Sequence, residues 1–305
     1  MTWKIFFSFI FILISVSSLI FYWFFPFNTI EFYQEYTSPT NFNFSLNDSS
    51  TNMQFYEDMR FPQKEISYNI DNCPLQKRYD IAQAFDFLSN ISILNFYEIG
   101  NNGEILATCE NRNRVENRLF IAGEGGPINI TRTDNFNVIL QGEILLIKES
   151  KCKDPNIALH EILHALGFNH SLNSKSIMYN ITKCNQEIGQ DIINKINEVY
   201  SSPSYPDLAF ENVSAVMRGK YLDTNITVRN HGLKDSEKTK IIIYADEKQI
   251  KEIELDSLDI GYGITITLNN IWIPKISVQE LRFLIDSNFP ELEKSNNEKK
   301  LEIKK

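Results

Sequence analysis

The sequence predicts three parts in order: a transmembrane helix, an α+β domain, and an all-β sandwich of the immunoglobulin-like type. Three observations lead to this prediction. Residues 5–25 form a run of 21 residues without a charge. Residues 61–202 mix strand-like and helix-like periodicity and contain all four cysteines of the chain. After residue 206 only short segments of period two occur, separated by turn residues.

The uncharged run is the predicted membrane element. At about 1.5 Å per residue, such a helix spans about 30 Å, the thickness of a bilayer core. Lys4 precedes the run, and Tyr22 and Trp23 lie near its far end, where aromatic side chains favour the interface. We therefore expect residues 1–26 to be an uncleaved signal anchor, with the rest of the chain outside the cell. The alternative is a signal peptide cleaved near Ser17, which would give a secreted protein.

Residues 27–60 give no clear structural signal. They are rich in Asn, Ser and Thr and show no sustained hydrophobic period. The first interpretation is a tether that holds the following domain away from the membrane. A propeptide-like segment is the alternative.

The domain predicted over residues 61–202 contains helices and strands in mixed order. Apolar residues recur every three or four positions in three segments, which predicts helices over residues 77–90, 155–166 and 186–200. Alternating or continuous apolar runs predict strands over residues 64–70, 93–99, 104–110 and 137–147.

One motif of eleven residues carries most of the chemistry that the sequence predicts. Residues 160–170 read HEILHALGFNH, which places Glu161 among His160, His164 and His170. His160 and His164 are four positions apart, so a helix stacks them on one face, one turn apart. This spacing is typical of a zinc site, and a glutamate directly after the first histidine is typical of its general base.

Gly167 is what makes the third histidine available to the same ion. A helix that continued past Leu166 would carry His170 away, so the chain has to turn. Glycine adopts the left-handed conformation that ends a helix. Three imidazoles leave one coordination position of zinc open for water, which predicts a catalytic ion. Glu161 is then expected to accept a proton from that water.

The motif and the later segment SIMY, residues 176–179, resemble the metzincin metallopeptidases. The eight-residue spacing from His170 to Met178 resembles their matrixin branch. The resemblance covers about residues 60–202. It implies an α+β fold with a mixed twisted sheet and three main helices, and a Met-turn in which Met178 packs beneath the zinc histidines. It also implies a zinc metalloendopeptidase that hydrolyses internal peptide bonds, with Glu161 returning the proton to the leaving amine.

The resemblance further implies an extended polypeptide substrate that pairs with an edge strand of the sheet. By position, residues 119–123 are the candidate for that edge. The alternative is that the glycine cluster AGEGGP, residues 122–127, is a plain surface turn. Vertebrate-type matrixins hold a second zinc ion partly by histidines. The fourth histidine here, His231, lies in the next domain. We therefore expect one catalytic Zn²⁺, no second zinc of that type and no other cofactor. Calcium remains compatible with the sequence, because its ligands are carboxylates and carbonyls.

The cysteines predict two disulfides. Four cysteines allow three pairings. We favour Cys73–Cys109, which would join the entrance of the first helix to a strand, and Cys152–Cys184, which would close a loop around the zinc helix and the Met-turn. Four free thiols are the alternative, which an oxidising space outside the cell disfavours.

The last part of the chain, residues 203–305, is predicted to be an immunoglobulin-like sandwich. Seven alternating segments occur at the regular spacing that such folds show. The segments PDL at 206–208, VRNHG at 228–232 and NN at 296–297 resemble the CARDB adhesion-related domains of prokaryotes. We expect this domain to bind a cell-surface ligand or the substrate, or to act as a spacer for the enzyme, and no residue in it indicates catalysis.

The composition limits the class of partner. The chain has 305 residues, a formal net charge of −9 and a pI of about 5.1. This acidic balance disfavours nucleic acid and suits a surface exposed outside a cell. The main alternative to an extracellular peptidase at the cell membrane is a cell-surface adhesion protein that keeps zinc but does no chemistry.

Overall fold

The structure is a computed structural model that describes residues 3–24, 29–33, 53–111, 114–116, 119–275 and 277–303. Two units are distinguished. The central unit contains the described residues of 44–205 and 232–234. The second unit contains the described residues of 1–43, 206–231 and 235–305, and we call it the sandwich unit after the sequence-based prediction.

The chain begins with a helix, α1, over Trp3–Phe24. Its apolar side chains between Phe6 and Ile20 are largely exposed. Within the described residues, no helix combines the length and the apolar character that a membrane span requires. The membrane anchor at residues 1–26 therefore stays a prediction.

The central unit is α+β, as predicted. After a short strand that belongs to the sandwich unit, β1 (Thr29–Tyr33), its elements are β2 (Met59–Arg60), β3 (Glu65–Asp71), α2 (Leu75–Ile91), β4 (Asn95–Glu98), β5 (Ile105–Cys109), β6 (Arg114–Glu116), β7 (Leu119–Ile121), β8 (Gly123–Arg132), β9 (Asn137–Leu146), α3 (Asn156–Ala165) and α4 (Gln190–Val199).

These strands form a mixed sheet. The order is β2-β9-β5-β3-β4 with parallel pairing, and β8 pairs antiparallel with β9. Helix α2 buries the apolar side chains of Ile81, Ala84, Phe85 and Leu88. The ring of Phe85 stacks on that of Tyr68 in β3, with 3.9 Å between centroids. Burial of such large apolar side chains supplies the main driving force for packing helix on sheet.

The edge strand differs from the sequence-based prediction. Residues 119–121 do not form the sheet's edge, because β7 pairs with β6 in a separate two-stranded ribbon. The antiparallel edge is β8, which begins at Gly123. The glycine cluster is therefore the start of a ten-residue strand and not a surface turn.

Both predicted disulfides are present. Cys73 is bonded to Cys109, which joins the segment before α2 to the end of β5. Cys152 is bonded to Cys184, and the chain between them contains α3 and the Met-turn. The alternative of four free thiols is thereby excluded.

The sandwich unit is mainly β. Its further strands are β10 (Leu208–Arg218), β11 (Tyr221–Asn230), β12 (Thr239–Ala245), β13 (Lys248–Leu255), β14 (Gly263–Trp272), β15 (Glu280–Ile285) and β16 (Glu298–Ile303). All pairs are antiparallel, in the order β13-β12-β15-β16-β1-β10-β11-β14. The turn between β12 and β13 lies at Asp246 and Glu247, both with positive φ. Two central residues with positive φ suit a two-residue hairpin.

Residues 27–60 were predicted to be a linker, but residues 29–33 within them form strand β1. It lies between β10 and β16, with Phe32 opposite both Ala215 and Ile303. The side chain of Phe32 is 4% exposed and belongs to the sandwich core. A strand from before the central unit therefore joins two strands that come after it. Residues 53–60 were also predicted to be part of the linker, but they belong to the central unit.

Candidate metal centre

Helix α3 carries the first part of the candidate site. It spans Asn156–Ala165, begins after Pro155 and buries all ten of its residues. The sequence had predicted a helix over residues 155–166, so the difference is one residue at each end. His160 and His164 lie on the same face, with ring centroids 4.6 Å apart.

Gly167 ends the helix as predicted. Its φ is +93°, in the region that favours glycine. The amide of Gly167 donates to the carbonyl of His164 at 2.9 Å, and the amide of Phe168 donates to the carbonyl of Leu163 at 3.0 Å. These two bonds form a Schellman motif, which satisfies carbonyls at the helix end and reverses the chain. The reversal returns His170 to the other two histidines.

The three imidazoles converge through their Nε2 atoms. The Nε2 atom of His164 lies 3.0 Å from that of His160 and 3.2 Å from that of His170. One ring nitrogen from each of the three lies within 4.8 Å of the others. Around a tetrahedral zinc ion with metal–nitrogen distances of about 2.0–2.1 Å, ligand nitrogens are about 3.3 Å apart. The donor set and its spacing therefore fit zinc.

Backbone carbonyls fix the two helical histidines in the tautomer that a metal needs. The Nδ1–H of His160 donates to the carbonyl of Ile177, and the Nδ1–H of His164 to that of Phe168, each at 2.7 Å. Each Nε2 atom is thus left with its lone pair toward the centre. Such outer hydrogen bonds orient metal-binding histidines and raise their basicity as ligands.

The electrostatics of the site favour neutral imidazoles. Burial lowers the pKa of His160 and of His170 below the usual value. Burial, assisted by the neighbouring His160, lowers the pKa of His164 to about 3. Histidine binds metal only when neutral, so these shifts prepare the three rings for an ion.

Glu161 lies beside this centre, on the same helix. It is 5% exposed. Burial, and to a smaller extent the charge of Glu124, raises the pKa of its carboxyl to about 8. A cation held by the three histidines would favour the ionised carboxylate and so oppose this shift. A carboxylate whose pKa lies near neutrality can both take up and release a proton.

The Met-turn is tied to the histidines through the backbone. Met178 is 2% exposed and lies in the core of the central unit. Its carbonyl accepts a hydrogen bond from the amide of Ser171, directly after the third histidine. The preceding residue, Ile177, provides the carbonyl that orients His160. The turn therefore holds the loop that carries His170 and fixes one helical ligand.

One aromatic contact of the site was missed by sequence reasoning. The ring of Phe55 stacks on that of His164, with 5.6 Å between centroids and 19° between planes. The amide of Phe55 donates to the carbonyl of Gly167 at 2.9 Å, and Met53 accepts from the amide of Asn169 at 2.8 Å. These residues lie in the segment predicted to be a linker, and no periodicity marks them.

A cavity of about 230 Å³ opens beside His170. Its walls come from the loop after that histidine, from Met178 and from the beginning of α4. The lining includes Met53, Phe168, Leu172, Asp191 and Ile192. Polar residues of the lining are His170, Asn169, Ser171, Asn173 and Ser176, so the cavity has a mixed apolar and polar wall with one carboxylate.

Comparison with known families agrees with these features. Residues 60–201 match the matrixin family of peptidases, and residues 205–301 match the CARDB family. Both resemblances inferred from the sequence are thereby confirmed. No curated protein matches the chain. The matrixin match supports a metallopeptidase-type function for the central unit.

Proposed function

We propose that the protein is a zinc-dependent endopeptidase. One observation carries the proposal: three imidazole Nε2 atoms converge within 4.8 Å, and the buried carboxylate of Glu161 lies on the same helix. Nothing else among the described residues places three potential metal-binding side chains so close together. The chemistry that a bound zinc ion supplies is polarisation of the scissile carbonyl and acidification of a water molecule.

The side chains of the protein would bind the ion and transfer the proton. His160, His164 and His170 would hold the ion. Glu161 takes a proton from the attacking water and later delivers it to the leaving amine. Burial keeps bulk water away from this carboxylate, so the proton that it holds is directed to the substrate.

The substrate that this site supports is an extended polypeptide. Among the described residues, β8 pairs with β9 alone, so its other edge can accept a strand. Pairing through backbone hydrogen bonds tolerates many sequences, and side-chain pockets then give the preference. The cavity beside His170, with its mixed apolar and polar wall, is our candidate for one such pocket.

We further propose that the protein acts outside the cell, held at the membrane by residues 1–26. The uncharged run of 21 residues supports the anchor. The two disulfides support an oxidising compartment. A protease added to intact cells should remove the central and sandwich units from the cell surface. Full protection of both units, or their recovery as a secreted form that lacks residues 1–26, would contradict the proposal.

The activity is tested with an unfolded polypeptide such as casein. Purified protein should cleave it internally, a zinc chelator should stop cleavage, and added zinc should restore it. The CARDB match favours the second candidate function, a zinc-containing adhesion protein without catalysis. That candidate requires stoichiometric zinc and no cleavage under the same conditions. Calcium would be tested in the same assay, as an addition after chelation.

A further inference from the structure

Two glycines of the edge strand lie against Glu161. A Cβ atom added to Gly123 would be 2.7 Å from both the Cγ and the Oε1 atoms of Glu161. A Cβ atom added to Gly125 would be 2.3 Å from the backbone oxygen of the same residue. Real Cβ atoms do not approach other heavy atoms this closely, so neither position accepts a side chain without movement.

The alternation of the strand explains why these two positions share a neighbour. Successive residues of a strand point to opposite faces, so Gly123 and Gly125 face helix α3 while Gly126 faces away. A Cβ atom added to Gly126 meets nothing within 4 Å. The three glycines therefore differ in surroundings although they lie within four residues of one strand.

We propose that Gly123 is a positioning residue for Glu161, because the missing side chain leaves the space in which the carboxylate lies. The proposal rests on the proposed role of Glu161 as the general base. The side chain of Glu161 passes directly over the backbone of Gly123, so the strand forms one wall of the carboxylate's site. The same strand offers its free edge to the substrate, which couples the position of the base to that of the substrate.

The two glycines should respond differently to substitution by alanine. The atoms that obstruct Gly123 belong to a flexible side chain, which can rotate away and leave the fold intact. The atoms that obstruct Gly125 belong to the backbone of α3, between His160 and Ile162, which cannot move without moving a metal-binding histidine. Gly123→Ala should therefore displace the base and keep the metal centre, whereas Gly125→Ala should weaken both zinc binding and the fold.

The experiment compares these variants in the full chain. Gly123→Ala should lower kcat about 10- to 100-fold, because a misplacement of about 1 Å at a catalytic group has costs of that order. KM and the zinc dissociation constant should change less than twofold. Gly126→Ala is the matched control for zinc binding and the melting temperature. Gly100→Ala, which also meets nothing within 4 Å, is the control for activity.

A double-mutant cycle separates positioning from a general structural effect. In the Glu161→Ala background, Gly123→Ala should cause no further loss of activity, and any fall in melting temperature that it causes in the wild-type background should disappear. If Gly123→Ala does not fold alone, the added Glu161→Ala change should restore folding.

Three results would overturn the inference. They are a Gly123→Ala variant with kcat within twofold of the wild type, a loss of zinc affinity parallel to the loss of kcat, or additive effects of the two substitutions. Full activity of Glu161→Ala alone would instead refute the proposed role of the base, so the two failures can be told apart.

Discussion

Opening the Cys152–Cys184 disulfide should weaken both the fold and the metal centre. The perturbation is the double substitution Cys152→Ser and Cys184→Ser. The bonded cysteines are 32 positions apart. A cross-link of that length stabilises a protein by about 3.7 kcal/mol through the lost entropy of the unfolded chain. The central unit of the variant should lose about that free energy of unfolding, which corresponds to roughly 7–15 °C in melting temperature.

The other disulfide provides a matched control. Cys73 and Cys109 are 36 positions apart, so their replacement should cost about 3.8 kcal/mol, nearly the same. Only the Cys152–Cys184 loop contains all three histidines and the Met-turn. It also contains the hydrogen bond between Nδ2 of Asn156 and the carbonyl of Lys183, at 2.9 Å. The two double variants should therefore lose nearly the same stability, whereas the Cys152/Cys184 variant should lose more zinc affinity.

The assay has two parts. Urea unfolding of the metal-free variants measures stability, and competition with a chromophoric chelator measures the zinc dissociation constant. We expect the Cys152/Cys184 variant to bind zinc at least tenfold more weakly, and the Cys73/Cys109 variant to bind it within threefold of the wild type. Equal zinc affinities in the two variants would refute the reasoning that the loop organises the site.

Three further predictions follow from buried contacts. Phe32→Ala should destabilise the sandwich unit by about 3 kcal/mol, measured by chemical unfolding, and leave peptidase activity unchanged; an unchanged midpoint would show that β1 adds nothing to the core. Gly167→Ala should lose zinc affinity and at least about 2 kcal/mol of stability, because the left-handed conformation disfavours alanine and its Cβ would lie 2.6 Å from Met59. Lys77→Met should lower the free energy of unfolding by about 2–4 kcal/mol without altering zinc binding, because the buried ammonium donates hydrogen bonds to the carbonyls of Glu110 and Ile147. An unchanged melting temperature would contradict this.

Helix α3 was predictable because its sequence signals are local. His160 and His164 are four positions apart, Pro155 fits the helix start, and Gly167 fits its end. The helix predicted over residues 186–200 begins only at Gln190. Gln186 is instead used by the preceding loop, where its side chain accepts a hydrogen bond from the amide of Lys183. Periodicity does not detect a side chain that caps a loop.

The edge strand and β1 were harder to predict because their information is not local. Glycine has a low strand propensity, so the cluster at residues 123–126 was as consistent with a turn as with a strand. The need for glycine at residues 123 and 125 follows only from the close packing of α3 against this strand. Strand β1 has five residues and pairs with Leu208–Arg218, about 185 residues later in the chain. No pattern within residues 27–60 predicts pairing with a strand so distant in the sequence.

The central claim is that Glu161 acts as the base of a zinc endopeptidase, and the Glu161→Ala variant tests it most directly. Zinc content, melting temperature and cleavage of unfolded casein would be measured for the wild type, Glu161→Ala and the control Glu149→Ala, whose carboxylate is exposed and lies outside the site. We predict one zinc ion per chain and wild-type folding in all three, with cleavage lost by at least 100-fold in Glu161→Ala alone. Undiminished cleavage by the zinc-loaded Glu161→Ala variant would contradict the account.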